Sequence, residues 1–262
     1  MSAQEQLTYL AHTPQMDGLS VFRAKGYVHN FPSHTHDTFN ITVICNNIFG
    51  TRLEDAYFNG GRGSLSITYG DEVRAAICDG VIGNDFNTFY ISTDFIKYVN
   101  NGEIPFFTER VIDNPQLFDL FYRLSYSLSQ DILYEKEFKK ALEQLFFLHA
   151  TSKERRIKRP SFFKEYLEDM GKHHSFSLEN AASTFGINKY KFIRLFKQET
   201  GFTPNVYFIN ERIKQSKVLL KQGMPIRDVA FKTGFYDYSH FNRHFKSFTG
   251  VAPSIYQRTF LG

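Results

Sequence analysis

From about residue 20 to residue 92, apolar and polar positions alternate in short runs such as Phe39–Ile41–Val43, Leu65–Ile67–Tyr69 and Phe89–Ile91. Alternation with period two sends one set of side chains to each face of a strand, so these runs predict half-buried strands. Turn residues separate them at Asn46–Asn47, Asn59–Gly60–Gly61, Tyr69–Gly70–Asp71 and Asp79–Gly80. Many short strands with such turns predict a sandwich or a barrel. The period changes near residue 114. Asn114–Pro115 reads as an N-cap followed by proline at the first helical position. Leu117, Leu120, Phe121, Leu124 and Leu128 then share one helical face, and Phe138, Ala141, Leu142, Leu145 and Phe146 share a face on a second helix. Two such helices either cover the core of the strand region or form a dimer seam, and the pattern suits both.

Residues 151–160, from Thr151 to Pro160, are polar, heavily charged and closed by proline. They mark a linker between a first domain of residues 1–150 and a second of residues 161–262. Beyond Ser161 the helical period runs almost unbroken, punctuated by Gly171, Gly186, Gly201, Gly223, Gly234 and Gly250.

Two stretches of this second domain repeat one another. Ala182, Gly186, Phe192, Arg194, Phe196–Lys197, Thr200–Gly201, Pro204 and Tyr207 recur as Ala230, Gly234, Phe241, Arg243, Phe245–Lys246, Thr249–Gly250, Pro253 and Tyr256. The offset grows by one residue after the glycine, so the second copy has one extra residue in its turn. Each copy reads as a short helix, a glycine that accepts left-handed backbone, and a second helix with a polar outer face. Ala182 and Ala230 are small where a second helix must cross closely. Asn188 and Asp237 are placed to cap the second helix of each copy. The outer faces differ: Tyr190, Ile193 and Arg194 are partly apolar, whereas Tyr238, Ser239, Asn242 and Arg243 are polar. Between the copies, Pro204 opens a longer helix that fixes their spacing.

Charge changes the picture of partners. The net charge of +4 conceals an acidic half, with 11 Lys and Arg against 18 Asp and Glu in residues 1–152, and a basic half with 20 against 9. A basic domain suits a polyanion such as nucleic acid, or is simply a solvated surface. There is no apolar run of 18 residues, so no membrane partner is expected, and the N-terminus has no signal-peptide pattern. Cys45 and Cys78 are far apart, without metal-type spacing, and read as buried, reduced thiols of a cytoplasmic protein.

Residues 160–260 resemble the DNA-binding domain of AraC/XylS-type bacterial regulators. The resemblance is carried by the positions above and most specifically by Gly234-Phe235, Ser239-His240-Phe241, Arg243 and Phe245-Lys246. It implies double-stranded DNA as partner, with Lys189, Tyr190, Lys191, Ile193 and Arg194 near DNA on the first recognition helix and Tyr238, Ser239, Asn242 and Arg243 on the second. Arg194 and Arg243 are suited to guanine edges or phosphates, or to internal salt bridges. Tyr190 and Tyr238 are suited to DNA or to core packing. Ile193 would read only by contact, for example with a thymine methyl, and the two lysines would meet phosphates.

In the first domain, Phe31–Pro32–Ser33–His34–Thr35–His36–Asp37 resembles the first motif of cupin barrels. The metal set is incomplete, because no carboxylate follows at the right place and no His lies in Gly70–Ala75. No metal, no other cofactor and no catalytic residue is therefore expected. The resemblance implies an α+β, two-domain chain: a cupin-like β-barrel with two following helices, then an all-α domain with two helix-turn-helix units. The first 20 residues resemble a flexible arm. Tyr27, His36, Phe39, Arg74, Phe89 and Tyr90 are the expected lining of a ligand site in the barrel mouth. The function expected is that of a homodimeric transcription regulator. It would be an activator meeting RNA polymerase and responding to a small-molecule effector. The alternatives are a regulator with no ligand and a cupin enzyme fused to a DNA-binding module.

Overall fold

The computed structural model describes residues 7–13, 16, 18–53, 56–128, 132–151, 163, 166 and 176–261. Two units divide the chain: residues 1–30 with 35–156, and residues 31–34 with 157–262. The linker expected at 151–160 lies outside the described residues except for Thr151, as does most of 161–175.

The strands are β1 (Leu7–Thr13), β2 (Leu19–Tyr27), β3 (Phe31–His34), β4 (Thr38–Asn46), β5 (Phe49–Arg52), β6 (Tyr57–Gly60), β7 (Leu65–Thr68), β8 (Arg74–Ile77), β9 (Asn84–Ser92) and β10 (Val111–Ile112). In the first unit six of them form one sheet in the order β1-β2-β9-β4-β7-β10, and β8-β5-β6 follow one another in a second, smaller sheet. The pairings are antiparallel. The order of the larger sheet ends at β1 and β10 rather than returning on itself. The expected barrel is therefore open: among the described residues two sheets form, with no continuous ring of hydrogen bonds.

Register explains the alternating sequence. Val21, Phe89, Ile41 and Ile67 lie side by side across β2, β9, β4 and β7, and all four are fully buried. This face is covered by α1 (Thr93–Val99), α2 (Pro115–Tyr126) and α3 (Ile132–His149). Phe89 meets Phe121 at 5.8 Å and Phe138 at 5.3 Å between ring centroids. The Asn114 side chain caps α2 by accepting from the Leu117 amide, with Pro115 at the first helical position. Leu117, Phe121, Leu124, Phe138, Ala141, Leu142, Leu145 and Phe146 are all buried in this one core. The two helices therefore cover the sheet.

The opposite face of the same sheet is buried but polar. Its rows are Ser20–Tyr90–Asn40–Thr68 and Phe22–Thr88–Thr42–Ser66. The next row, Ala24–Phe86–Ile44, is apolar and meets the smaller sheet: Phe49 lies 4.7 Å from Phe86, and a side chain on Gly60 would collide with Ile44. The segment Leu7–Thr13, expected in a flexible arm, is instead a strand paired residue by residue with β2. Arg23 holds it from the helix-covered face, with its guanidinium 4.1 Å from the Tyr9 ring and 4.6 Å from the Tyr126 ring at the end of α2.

The described helices of the second unit are α4 (Leu178–Thr184), α5 (Lys189–Thr200), α6 (Pro204–Lys221), α7 (Ile226–Lys232), α8 (Tyr238–Thr249) and α9 (Pro253–Leu261). Phe192, Phe196, Phe241 and Phe245 are its fully buried centre, together with Phe163 and Leu220. No helix among the described residues is long and apolar enough to cross a membrane.

Candidate nucleic-acid interface

The sequence repeat is a structural repeat down to single hydrogen bonds. At the end of α4 the amide of Ile187 donates to the carbonyl of Ala182 and that of Gly186 to Ser183. At the end of α7 the amide of Phe235 donates to Ala230 and that of Gly234 to Phe231. This paired closure needs left-handed backbone at the glycine, and φ is 63° at Gly186 and 78° at Gly234. Ala182 and Ala230 are buried, as their small size predicts. The next helix then starts on a side-chain cap: Asn188 accepts from the Lys191 amide at 2.9 Å, and Asp237 from the His240 amide at 2.7 Å. The extra residue in the second copy falls between Phe235 and Asp237. It is Tyr236, which is 87% exposed. Helices α5 and α8 also end alike, with Thr200 and Thr249 donating to the carbonyls of Phe196 and Phe245 before Gly201 and Gly250.

Burial of the phenylalanines turns the opposite faces of α5 and α8 outward. On α5, Lys189, Tyr190, Lys191 and Arg194 are exposed and Ile193 is half-buried. On α8, Tyr238, Ser239 and Arg243 are exposed and Asn242 is half-buried. Tyr190 is 74% and Tyr238 42% exposed, so neither is a core residue. Neither Arg194 nor Arg243 forms an ion pair among the described residues. Lys189 does form one, reaching Glu179 on α4 at 3.8 Å.

A cluster beneath α8 was not visible as a site in the sequence. His240 and His244 are one helical turn apart, with ring centroids separated by 4.5 Å, and both rest against Phe235. Arg212 from α6 has its guanidinium carbon 5.8 Å from the centroid of the same ring. Burial, then the neighbouring His240, Arg243 and Arg212, hold His244 below its ordinary value of 6.5. The spacing of two histidines four apart was the only available signal, and it became meaningful only once Phe235 and Arg212 were brought to them.

The residues expected to line a ligand site divide between the two faces of the larger sheet. Phe39 and Phe89 point into the helix-covered core, against Phe107 and Phe146 and against Phe121 and Phe138 respectively. They are thus removed from the inter-sheet side, because odd and even positions of a strand face opposite ways. Tyr27, Arg74 and Tyr90 are on the inter-sheet side. Tyr27 packs on Phe22 and Phe86, and His36 lies 5.0 Å from the Tyr90 ring. Burial pushes the Tyr90 hydroxyl up to about 12 although Arg74 acts against it. Among the described residues no group of three or more metal-ligating side chains is present. Cys78 is buried as expected, but Cys45 only half so. Burial pushes both thiols up to about 12.

Known proteins fit this geometry. The family model described as a helix-turn-helix domain matches residues 181–259. An uncharacterised HTH-type transcriptional regulator of Bacillus subtilis, YbfI, is 27% identical over 242 residues, covering 85% of each chain. The arabinose operon regulatory protein of Escherichia coli is 31% identical over 94 residues, which are 36% of this chain and 32% of that one. Among solved structures, a single-residue variant of apo ToxT from Vibrio cholerae matches with a TM-score of 0.55 over 98% of both chains at 12% identity, a likeness of fold. The chain is a DNA-binding transcription regulator that carries a helix-turn-helix domain. That domain, in the C-terminal region, is of the AraC type.

Proposed function

We propose that the second unit holds two helix-turn-helix units whose recognition helices, α5 and α8, read two sites on double-stranded DNA. The observation that carries this reading is the duplicated turn-and-cap geometry, which leaves Lys189, Tyr190, Lys191, Ile193 and Arg194 on one helix and Tyr238, Ser239, Asn242 and Arg243 on the other turned away from the core. The 18 residues of α6 between the units make a rod of about 27 Å at 1.5 Å per residue. That is close to the roughly 34 Å between successive major grooves on one face of DNA. The protein is an activator, not an enzyme. It acts in the cytoplasm on RNA polymerase, as a homodimer, under a small-molecule effector held between the sheets of the first unit near Tyr27, His36, Arg74 and Tyr90. Effector binding shifts the population toward the conformation with the higher DNA affinity. The domain bounds that go with this reading are 1–150, 151–160 and 161–262.

The test is Arg243→Ala in a binding assay on the protein's own operator, run over a salt series. An arginine that reads a base loses about 1–3 kcal/mol of specific affinity and relaxes the preference at one position. Unchanged affinity and preference remove Arg243 from the base-reading set.

A further inference from the structure

His240 and His244 each follow a residue of the outward face of α8, Ser239 and Arg243, and so stand about 100° around the helix from it. That is the rim of the face, where the phosphates that wall a groove flank a helix laid in DNA. Both histidines are half-buried against the Phe235 ring, 4.5 Å apart between centroids, with the Arg212 guanidinium carbon 5.8 Å from that ring. The Nδ1 of His240 is buried without a hydrogen-bond partner among the described residues. A proton on a buried nitrogen with no acceptor is costly, so the neutral ring carries its proton on Nε2. That atom and both ring nitrogens of His244 make no hydrogen bond among the described residues and open to solvent. They are donors and proton sites without a partner in the chain.

The charges that act on His244 are those of His240, Arg243 and Arg212. All three are positive or become so on protonation. The carboxylates on α8 and the helices packed against it are Glu211 on α6, Asp228 on α7 and Asp237 at the cap of α8, and none of them is among these charges. Nor are Arg258 of α9 and His34, whose segment belongs to this unit. Burial and the three like charges hold the His244 proton weakly. An anion beside the ring acts the other way, because it favours the charged form.

We propose that His240 and His244, with Arg212 and Arg243 beside them, receive a DNA backbone phosphate at the rim of α8, and that His244 takes up a proton when they do. This deepens the DNA-binding function proposed above and rests on it. As pH falls, His244 gains its proton on DNA before it gains it off DNA, so affinity rises toward acid. The contact is to a phosphate and carries no sequence preference.

The test is duplex binding by the full chain in phosphate-free buffers between about pH 8 and about pH 5.5, either side of the histidine range. The probes are a short random-sequence duplex and a duplex selected by the chain from a random pool. Urea unfolding at each pH verifies that the chain is folded. Wild-type affinity for both duplexes is expected to rise about threefold or more toward acid, with the slope of log affinity against log salt steeper by about 0.9. His244→Gln is expected to lose most of that rise. His244→Lys, charged throughout, is expected to bind at about pH 8 as tightly as the wild type does at about pH 5.5. Binding heats of the wild type in two buffers of unlike ionisation enthalpy count the protons taken up, whether or not a variant folds. A count of zero across the range, or an equal rise in His244→Gln, overturns the proposal. A His244→Lys chain that is folded yet binds more weakly than the wild type at about pH 8 turns the cluster away from DNA and overturns it too. A rise confined to the selected duplex places the proton at a base contact and overturns the phosphate. Binding that is present but independent of pH sinks this inference alone, whereas a folded chain that binds neither duplex at any pH removes the DNA-binding function and this inference with it.

Discussion

Asp237 and Asn188 do the same local work at equivalent places, each accepting a backbone amide at the open end of a helix. Removing such a cap typically costs about 1 kcal/mol. Asp237→Ala and Asn188→Ala are each expected to lower unfolding free energy by that amount in urea titrations, and an effect within error on both would deny the caps their role. His244 gives a pH signature. Its proton is bound more weakly in the folded chain than in the unfolded one, whose imidazole has the ordinary value of 6.5. As pH falls through and below 6.5 the unfolded state takes up the proton first, so stability drops toward acid and is fully present above that range. His244→Gln should flatten this part of the stability profile, and an unchanged slope would place the effect on other groups.

At the scale of elements, Ala182 and Ala230 are buried, so a larger side chain at either must displace its neighbours. Ala230→Leu is expected to cost about 1–3 kcal/mol by overpacking and to weaken DNA binding by displacing α8, as read by calorimetry and an operator titration. Much of this was legible in the sequence. Apolar repeats, the glycines and the cap residues gave α2 to α8, because helix ends and faces are specified by residues a few positions apart. The extra turn residue of the second copy was legible too, as a change of offset. The facing of Phe39 and Phe89 was not. A period of two says that neighbours point apart, and which set meets helices depends on α1, α2 and α3 arriving from much later in the chain. The open ends at β1 and β10 were equally hidden, since closure of a sheet depends on pairings between distant segments. Nor does any local pattern reveal that Arg74 and Asn40, 34 positions apart, meet across two sheets.

At the scale of the whole molecule, an acidic half and a basic half in one chain confine the electrostatic attraction for DNA to the second unit. The proposed homodimer is assigned to the first. Its described helices keep Tyr122, Tyr126, Phe147 and Leu148 exposed, Phe147 by 88%, although α2 and α3 already have a buried face. Sedimentation of the full chain is expected to show a dimer that Phe147→Glu weakens, and a chain that stays monomeric at high concentration would leave those side chains as ordinary surface.

The single additional residue at Tyr236 has a consequence beyond local geometry. The proposed readers follow one another in the same direction along the chain and have unlike outer faces, and the second has a longer turn with Tyr236 exposed on it, so the pair has a head and a tail. A chain built this way points along whatever duplex it sits on, so inverting its operator should silence a promoter even where affinity is unchanged.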